Sequence, residues 1–104
     1  MEELLANFKE YCKTPGIDSG KAQSYANAIQ YLCDFLGVES INECVVDKFR
    51  AIEKHITWSN DETRRQLLAF LEKRHQKSYL CGGFIQAALT YFYPFWETYQ
   101  AIKL

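Results

Sequence analysis

Among the residues of this sequence, the basic ones have the types and positions best suited to chemistry, namely contact with phosphate groups. Two arginines, Arg64 and Arg65, stand early in a predicted helix, and three more cations cluster near its end. A guanidinium fork or a flexible ammonium group beside a helix end suits backbone phosphates. The candidate phosphate contacts are Lys21, Arg64, Arg65, Lys73, Arg74 and Lys77.

The charge of the chain is unevenly distributed, which bears on these candidates. The formal net charge is −1, but residues 1–62 carry a net −5 and residues 63–104 a net +4. A basic half makes a local positive field inside a slightly acidic chain. A structural interpretation stays open beside this one, since Lys73, Arg74 and His75 would also neutralise the negative end of their helix.

Patterns typical of catalysis or metal binding are missing from the sequence. His55 and His75 each lie near the end of a predicted helix, where a cation commonly serves the helix itself. The four cysteines are far apart, with no C-x-x-C pair and no histidine at ligand spacing. They are Cys12, Cys33, Cys44 and Cys81. We therefore expect reduced cysteines, no metal, no cofactor and no enzymatic activity.

The first half of the chain shows two clear helical patterns. Apolar residues recur at helical spacing from Glu2 to Lys13, and a stronger stripe runs from Lys21 to Leu36. Asp18 or Ser19 can cap the second helix at its start, because a short polar side chain accepts from free backbone N–H groups there. Gly37 suits its C-terminal cap.

The middle of the chain predicts a connector and then two more helices. Val38 to Val46 is the predicted connector, with one short turn opened by the capping box Ser40-Ile-Asn-Glu43. Asp47 is the predicted cap of the third helix. Ser59-Asn-Asp-Glu62 matches a second capping box, which opens a fourth helix that extends to about His75.

The C-terminal stretch has the broadest apolar stripe and predicts the central helix. We expect this helix to begin near Gly83, after a turn or a short helical turn over Ser78 to Cys81, and to continue to Ile102. Pro94 lacks a backbone donor and clashes with the carbonyl of Thr90. The helix is therefore expected to kink or restart at Pro94.

These elements together predict the fold class. No stretch alternates like a strand, so residues 1–104 are expected to form one all-α domain, a compact bundle of four or five helices. No apolar run approaches the ~20 residues that span a bilayer. The acidic opening also lacks the basic start of a signal peptide. We therefore expect a cytoplasmic protein with no membrane partner.

The order of these elements resembles that of a known family. The matching runs lie at Phe8 to Tyr11, Lys21 to Leu36, Ile41 to Phe49 and Ser78 to Phe92. They are similar to the SAM-like N-terminal, core-binding domain of phage integrases and other tyrosine recombinases, and to helical domains that precede the nuclease in some restriction-type and HNH endonucleases. The resemblance implies a SAM-like helical clamp over duplex DNA. The resemblance also implies that five residues contact the DNA, namely Lys21, Gln23, Ser24, Ser78 and Tyr79.

Two functions from different classes follow. The first is a non-catalytic domain that binds duplex DNA through its backbone phosphates, as part of a recombinase- or restriction-type system. The catalytic motifs of the recombinase family belong to a second domain and do not occur in these 104 residues, so a missing catalytic domain is an expected partner. The alternative is a protein interaction or dimerisation module with an exposed aromatic patch. That patch would consist of Tyr93, Trp96 and Tyr99.

Overall fold

The computed structural model describes residues 1–58 and 60–103, and for residues 102 and 103 it describes the backbone only. Across this part of the chain the fold is all helical, without a strand, which confirms the predicted class. Six helices form in the described part of the chain, against the four or five expected. The additional one is the short helix at Ser78–Cys81, where a turn or a short helical turn was expected. The six helices are α1 (Glu2–Lys13), α2 (Ser19–Leu36), α3 (Glu43–Ile56), α4 (Glu62–Lys73), α5 (Ser78–Cys81) and α6 (Phe84–Lys103).

The ends of α2 confirm Gly37 as the C-terminal cap and show that Asp18, one of the two candidates, is the N-cap. The Asp18 carboxylate accepts a hydrogen bond from the Lys21 backbone N–H at 2.9 Å. Gly37 follows the last turn with φ of 71°, in the left-handed region that a residue without Cβ adopts at little cost. Both ends of this long helix thus coincide with capping residues that the sequence contains.

The start of α3 corrects the sequence prediction. Asn42, not Asp47, is the N-cap, and its side chain accepts from the Val45 backbone N–H at 3.0 Å. The segment predicted as a connector thus becomes helical from Glu43. Both Val45 and Val46 are buried in the core, so packing overrides the modest helix propensity of β-branched residues.

The boundaries of α4 also differ from the prediction. Its N-cap is Asp61, which accepts from the Thr63 backbone N–H at 2.8 Å. Ser59, the predicted start of the capping box, lies outside the described residues. The helix ends at Lys73, two residues before the predicted end, because His75 takes a φ of 58° that an α-helix cannot contain.

Helix α6 runs without a restart through Pro94, contrary to one of the two expected outcomes. Pro94 and Thr90 are both exposed, so water can hydrate the Thr90 carbonyl that the proline leaves without a donor. Phe92 and Phe95 are buried on either side of the proline. The parts of the helix before and after Pro94 therefore both pack against the core.

An aromatic cluster around α6 forms the centre of the core. The Phe92 ring lies 5.3 Å from Phe8, 5.8 Å from Phe49 and 6.3 Å from Trp96, measured between ring centroids. The Trp96 indole N–H donates to the Glu43 carboxylate at 2.9 Å, which satisfies the single polar atom of that side chain. This cluster joins α1, α3 and α6. Among the helices described, none is long and apolar enough to cross a membrane.

Candidate nucleic-acid interface

Four basic side chains lie together between the end of α4 and the start of α5. The chain turns sharply there, with the Gln76 N–H returning to the Leu71 carbonyl at 2.9 Å and His75 in a left-handed conformation. All four side chains are exposed. We call this surface the basic junction, which consists of Lys73, Arg74, His75 and Lys77.

Arg74 is the one member of the basic junction whose side chain is held in place. Its guanidinium lies over the Phe70 ring, 3.7 Å from the centroid, and Nη1 donates to the Phe70 carbonyl at 3.2 Å. Phe70 packs in turn against Phe35 of α2 at 5.5 Å. The two rings line an open groove of about 660 Å³. A stacked guanidinium loses less conformational entropy when it binds a ligand than a free side chain does.

The side chains of the basic junction form no ion pair with a carboxylate of the described residues. Within the described part of the chain, no carboxylate oxygen lies within 4.0 Å of these cations, including that of the neighbouring Glu72. The ion pairs that do form lie elsewhere: Glu10–Lys13, Asp47–Arg50, His55–Asp61 and Glu62–Arg65. The positive field of the junction is therefore available to an anionic ligand.

A polar and aromatic surface adjoins the basic junction. We call it the ridge, which consists of Gln23, Asn27, Tyr31 and Tyr79. Tyr31 of α2 contacts Tyr79 of α5 edge to face, with centroids 5.0 Å apart. The Tyr79 hydroxyl accepts from the Asn27 amide at 3.4 Å, and the Gln23 amide donates to Asn27 at 2.9 Å. Burial raises the pKa of Tyr31, and Tyr79 and the charge of Asp34 raise it further, whereas the charge of Arg74 lowers it. Tyr79 follows Lys77 by two residues, so the ridge adjoins the junction along the chain.

The structure separates the ten residues predicted to contact DNA. Arg64 and Arg74 lie ten positions apart on or beside α4, which corresponds to about 15 Å along the helix axis. At the far end, Arg65 pairs with Glu62 at 2.6 Å. Lys21 is exposed in the first turn of α2. Those in or beside the ridge and junction are Gln23, Lys73, Arg74, Lys77, Ser78 and Tyr79, and those outside this grouping are Lys21, Ser24, Arg64 and Arg65.

The structure does not expose the aromatic patch that the alternative function requires. Trp96 is only 3% exposed, so its part of the patch was predicted wrongly. Tyr93 and Tyr99 are half-buried. Helical spacing could not decide between the two faces of α6, because nearly every face carries aromatic residues. The large hydrophobic side chain exposed in the described structure is instead Trp58, at 71%, in the loop between α3 and α4.

No side-chain group in the described residues has the composition of a metal site. Cys12 and Cys33 are buried, and that burial raises the pKa of their thiols to about 11 and about 12. Both therefore stay protonated near neutral pH and pack as small apolar side chains. Cys44 and Cys81 are exposed.

A histidine and a carboxylate link the end of α3 to the start of α4. His55 Nδ1 lies 2.7 Å from Asp61 Oδ2. This hydrogen bond, with a further bond from the Thr63 backbone, holds the pKa of Asp61 below its usual value of 3.8. The lowered pKa means that the folded state favours the ionised carboxylate, so this contribution is complete above the usual pKa and is lost as pH falls through the lowered one.

We therefore expect the Asp61→Asn variant to show a shallower loss of stability with acid than the parent below about pH 4. Asparagine keeps the N-cap acceptor but has no charge to titrate. Thermal unfolding followed by circular dichroism between pH 3 and neutral pH, in buffers of equal ionic strength, measures this difference. Parallel acid profiles for the two proteins would contradict the role assigned to Asp61.

The comparisons with known proteins add no information about this surface. The resemblance to the integrase core-binding domain stays a prediction from the sequence. No protein-family model matches the chain, and no curated protein or solved structure matches it either.

Proposed function

We propose that this chain is a non-catalytic DNA-binding domain that holds the backbone phosphates of duplex DNA with its basic junction. The observation that carries the proposal is the set of exposed cations at the junction, none of which has a carboxylate partner within the described structure. Arg74, already stacked on Phe70, is the anchor. Lys73 and Lys77 add mobile charges on either side of it.

The polar ridge extends the same surface. The amide groups of Gln23 and Asn27 and the hydroxyl of Tyr79 are hydrogen-bonding groups of the kind that contact phosphate and sugar. Such contacts orient a protein on the duplex without reading its sequence. The proposed binding is therefore weakly specific or indifferent to sequence.

The cellular setting is a further part of the proposal. The resemblance of the sequence to SAM-like core-binding domains supports a place in a recombinase- or restriction-type system in the cytoplasm. In that setting a separate catalytic domain cleaves or joins the DNA strands, and this domain binds the duplex. Because Trp96 is buried, the alternative interaction module would have a smaller exposed aromatic surface than the sequence predicted.

Fluorescence anisotropy of a labelled duplex tests the proposal directly. The protein is titrated into the duplex at low salt and again at rising salt concentrations. Because each neutralised phosphate releases counterions, contacts by Lys73, Arg74 and Lys77 predict a slope of about −2.7 in a plot of log K against log salt. An absence of binding at low salt, or a slope near zero, would refute the proposal.

A further inference from the structure

A second cleft lies at the opposite end of α4 from the basic junction. It has a volume of about 300 Å³ and lies between the end of α3, the start of α4 and the turn from α5 to α6. This volume is at the lower end of the range for small-molecule sites. The lining residues that matter here are Thr57, Arg64, Cys81, Gly83 and Gln86.

Arg64 is the charged side chain of this cleft, and its position is fixed. It is half-buried, and its Nε donates to the Ile56 carbonyl at 3.0 Å. That bond aligns the guanidinium and leaves the two terminal nitrogens, Nη1 and Nη2, without a hydrogen-bond acceptor in the described structure. A side chain that makes one fixed bond inside the protein offers a preorganised fork to a ligand.

The charge of Arg64 has no counter-ion among the described residues. The nearest carboxylates in the sequence are already engaged. Asp61 accepts from the Thr63 backbone and lies against His55, while Glu62 pairs with Arg65. A partly buried cation without a partner is unfavourable, because burial removes hydration that no nearby anion replaces. An anionic ligand in the cleft would compensate this cost.

The remaining lining groups fit a phosphate. A guanidinium binds phosphate oxygens through two parallel N–H donors. The Gln86 amide adds a donor, and the exposed Cys81 side chain borders the opening. At Gly83 the space that a Cβ would occupy has no neighbouring atom within 4 Å, so no side chain crowds this part of the lining. The volume leaves room for a phosphate and the group that carries it.

We propose that this cleft binds a phosphate monoester, with Arg64 as the specificity-determining contact. The phosphate has two sources with the same chemistry, the 5′-terminal phosphate of a DNA strand and a small phosphorylated molecule. The site is separate from the basic junction and does not depend on duplex binding there. The proposal thus goes beyond the function assigned to the junction.

The exposed cysteines allow a test on the unmodified protein. Cys81 borders the cleft, whereas Cys44, in the first turn of α3, does not line it and serves as an internal control. Alkylation by iodoacetamide is followed at both thiols by mass spectrometry. A ligand at four times its Kd should slow the reaction of Cys81 about fivefold by occupancy and leave Cys44 unchanged. We expect a Kd of about 1 mM for inorganic phosphate.

The choice of ligands separates the two sources. The probes are inorganic phosphate and a short single-stranded oligonucleotide with either a 5′-phosphate or a 5′-hydroxyl, all at equal ionic strength in sodium chloride. Protection by inorganic phosphate but by neither strand supports the proposal with a small phosphorylated ligand. Protection by the 5′-phosphorylated strand and not by the 5′-hydroxyl strand, with or without protection by inorganic phosphate, supports it with a DNA end. Equal protection by the two strands, equal slowing at Cys44, or no protection by any probe would overturn it.

Two neighbouring arginines supply matched variants. Arg64→Gln should abolish the protection of Cys81, and Arg64→Lys should weaken it, because lysine keeps the charge but not the fork. Arg65→Gln removes the same charge from an exposed residue that does not line the cleft, and it should retain full protection. Unaltered protection in a folded Arg64→Gln variant contradicts the proposal. Should Arg64→Gln not fold by circular dichroism, the ligand series with the parent protein still decides.

The proposals for the two sites can fail separately. A variant with Lys73, Arg74 and Lys77 changed to alanine should lose salt-dependent duplex binding and keep phosphate protection of Cys81. Loss of both in that variant would overturn the separation of the two sites.

Discussion

Replacement of Lys73, Arg74 and Lys77 with alanine is expected to weaken duplex binding about 100-fold at low salt, because each lost charged contact costs about 1 kcal/mol. The slope of log K against log salt should also shrink in magnitude by about 2.7, since three phosphates keep their counterions. Both quantities come from anisotropy titrations over a range of salt concentrations. Arg74 alone should account for the largest share, because Phe70 holds its guanidinium in place.

A variant of equal charge serves as the control. Changing Lys9, Lys48 and Lys54 to alanine also lowers the formal net charge from −1 to −4, but these lysines lie on α1 and α3. General electrostatic attraction would make the two triple variants alike. A local contact surface would leave the control close to the parent protein. Equal losses in both variants would therefore remove the basic junction as the binding site.

The Phe92→Ala variant is expected to lose about 3–5 kcal/mol of unfolding free energy, the usual cost of removing a fully buried aromatic side chain. Phe92 is completely buried and contacts rings from three helices. The cavity left behind cannot collapse easily, because Phe8, Phe49 and Trp96 are held by other contacts as well. A domain of this kind has about 5–15 kcal/mol in total, so the variant should unfold at much lower urea concentrations.

Equilibrium unfolding in urea, followed by far-UV circular dichroism, measures this loss. Thr90→Ala changes an exposed residue of the same helix and should stay within about 0.5 kcal/mol of the parent. Phe92→Leu keeps most of the apolar volume and should cost less than the alanine change. A loss below about 1 kcal/mol for Phe92→Ala would show that the aromatic cluster does not support the fold as described.

The parts of the fold that follow from local chemistry could be predicted from the sequence. Asp18 and Gly37 bound α2 as expected, since a polar N-cap and a left-handed glycine act within one turn of the helix. The start of α3 could not be placed in this way, because Asn42 and Asp47 have similar capping chemistry. Burial of Val45 decides between them, and burial depends on the other helices.

The candidate site was predictable only in its charges. The sequence indicated Lys73, Arg74 and Lys77 as a cluster, but it could not show which arginines find partners. Whether Arg65 pairs with Glu62 depends on side-chain conformation. The ridge depends on Asn27 meeting Tyr79, a contact between residues 52 positions apart. The polar and aromatic face of α2 was the only signal for it, and helical spacing alone does not say what packs there.

The two tryptophans occupy opposite environments, and this contrast gives the chain two separate optical signals. Trp96 lies among aromatic rings in the core, while Trp58 is open to solvent in the loop beside Thr57, which lines the cleft at Arg64. A dissolved quencher such as iodide reaches the indole of Trp58 but not that of Trp96. The emission that survives quenching therefore reports the integrity of the core, and the emission that is lost reports the loop.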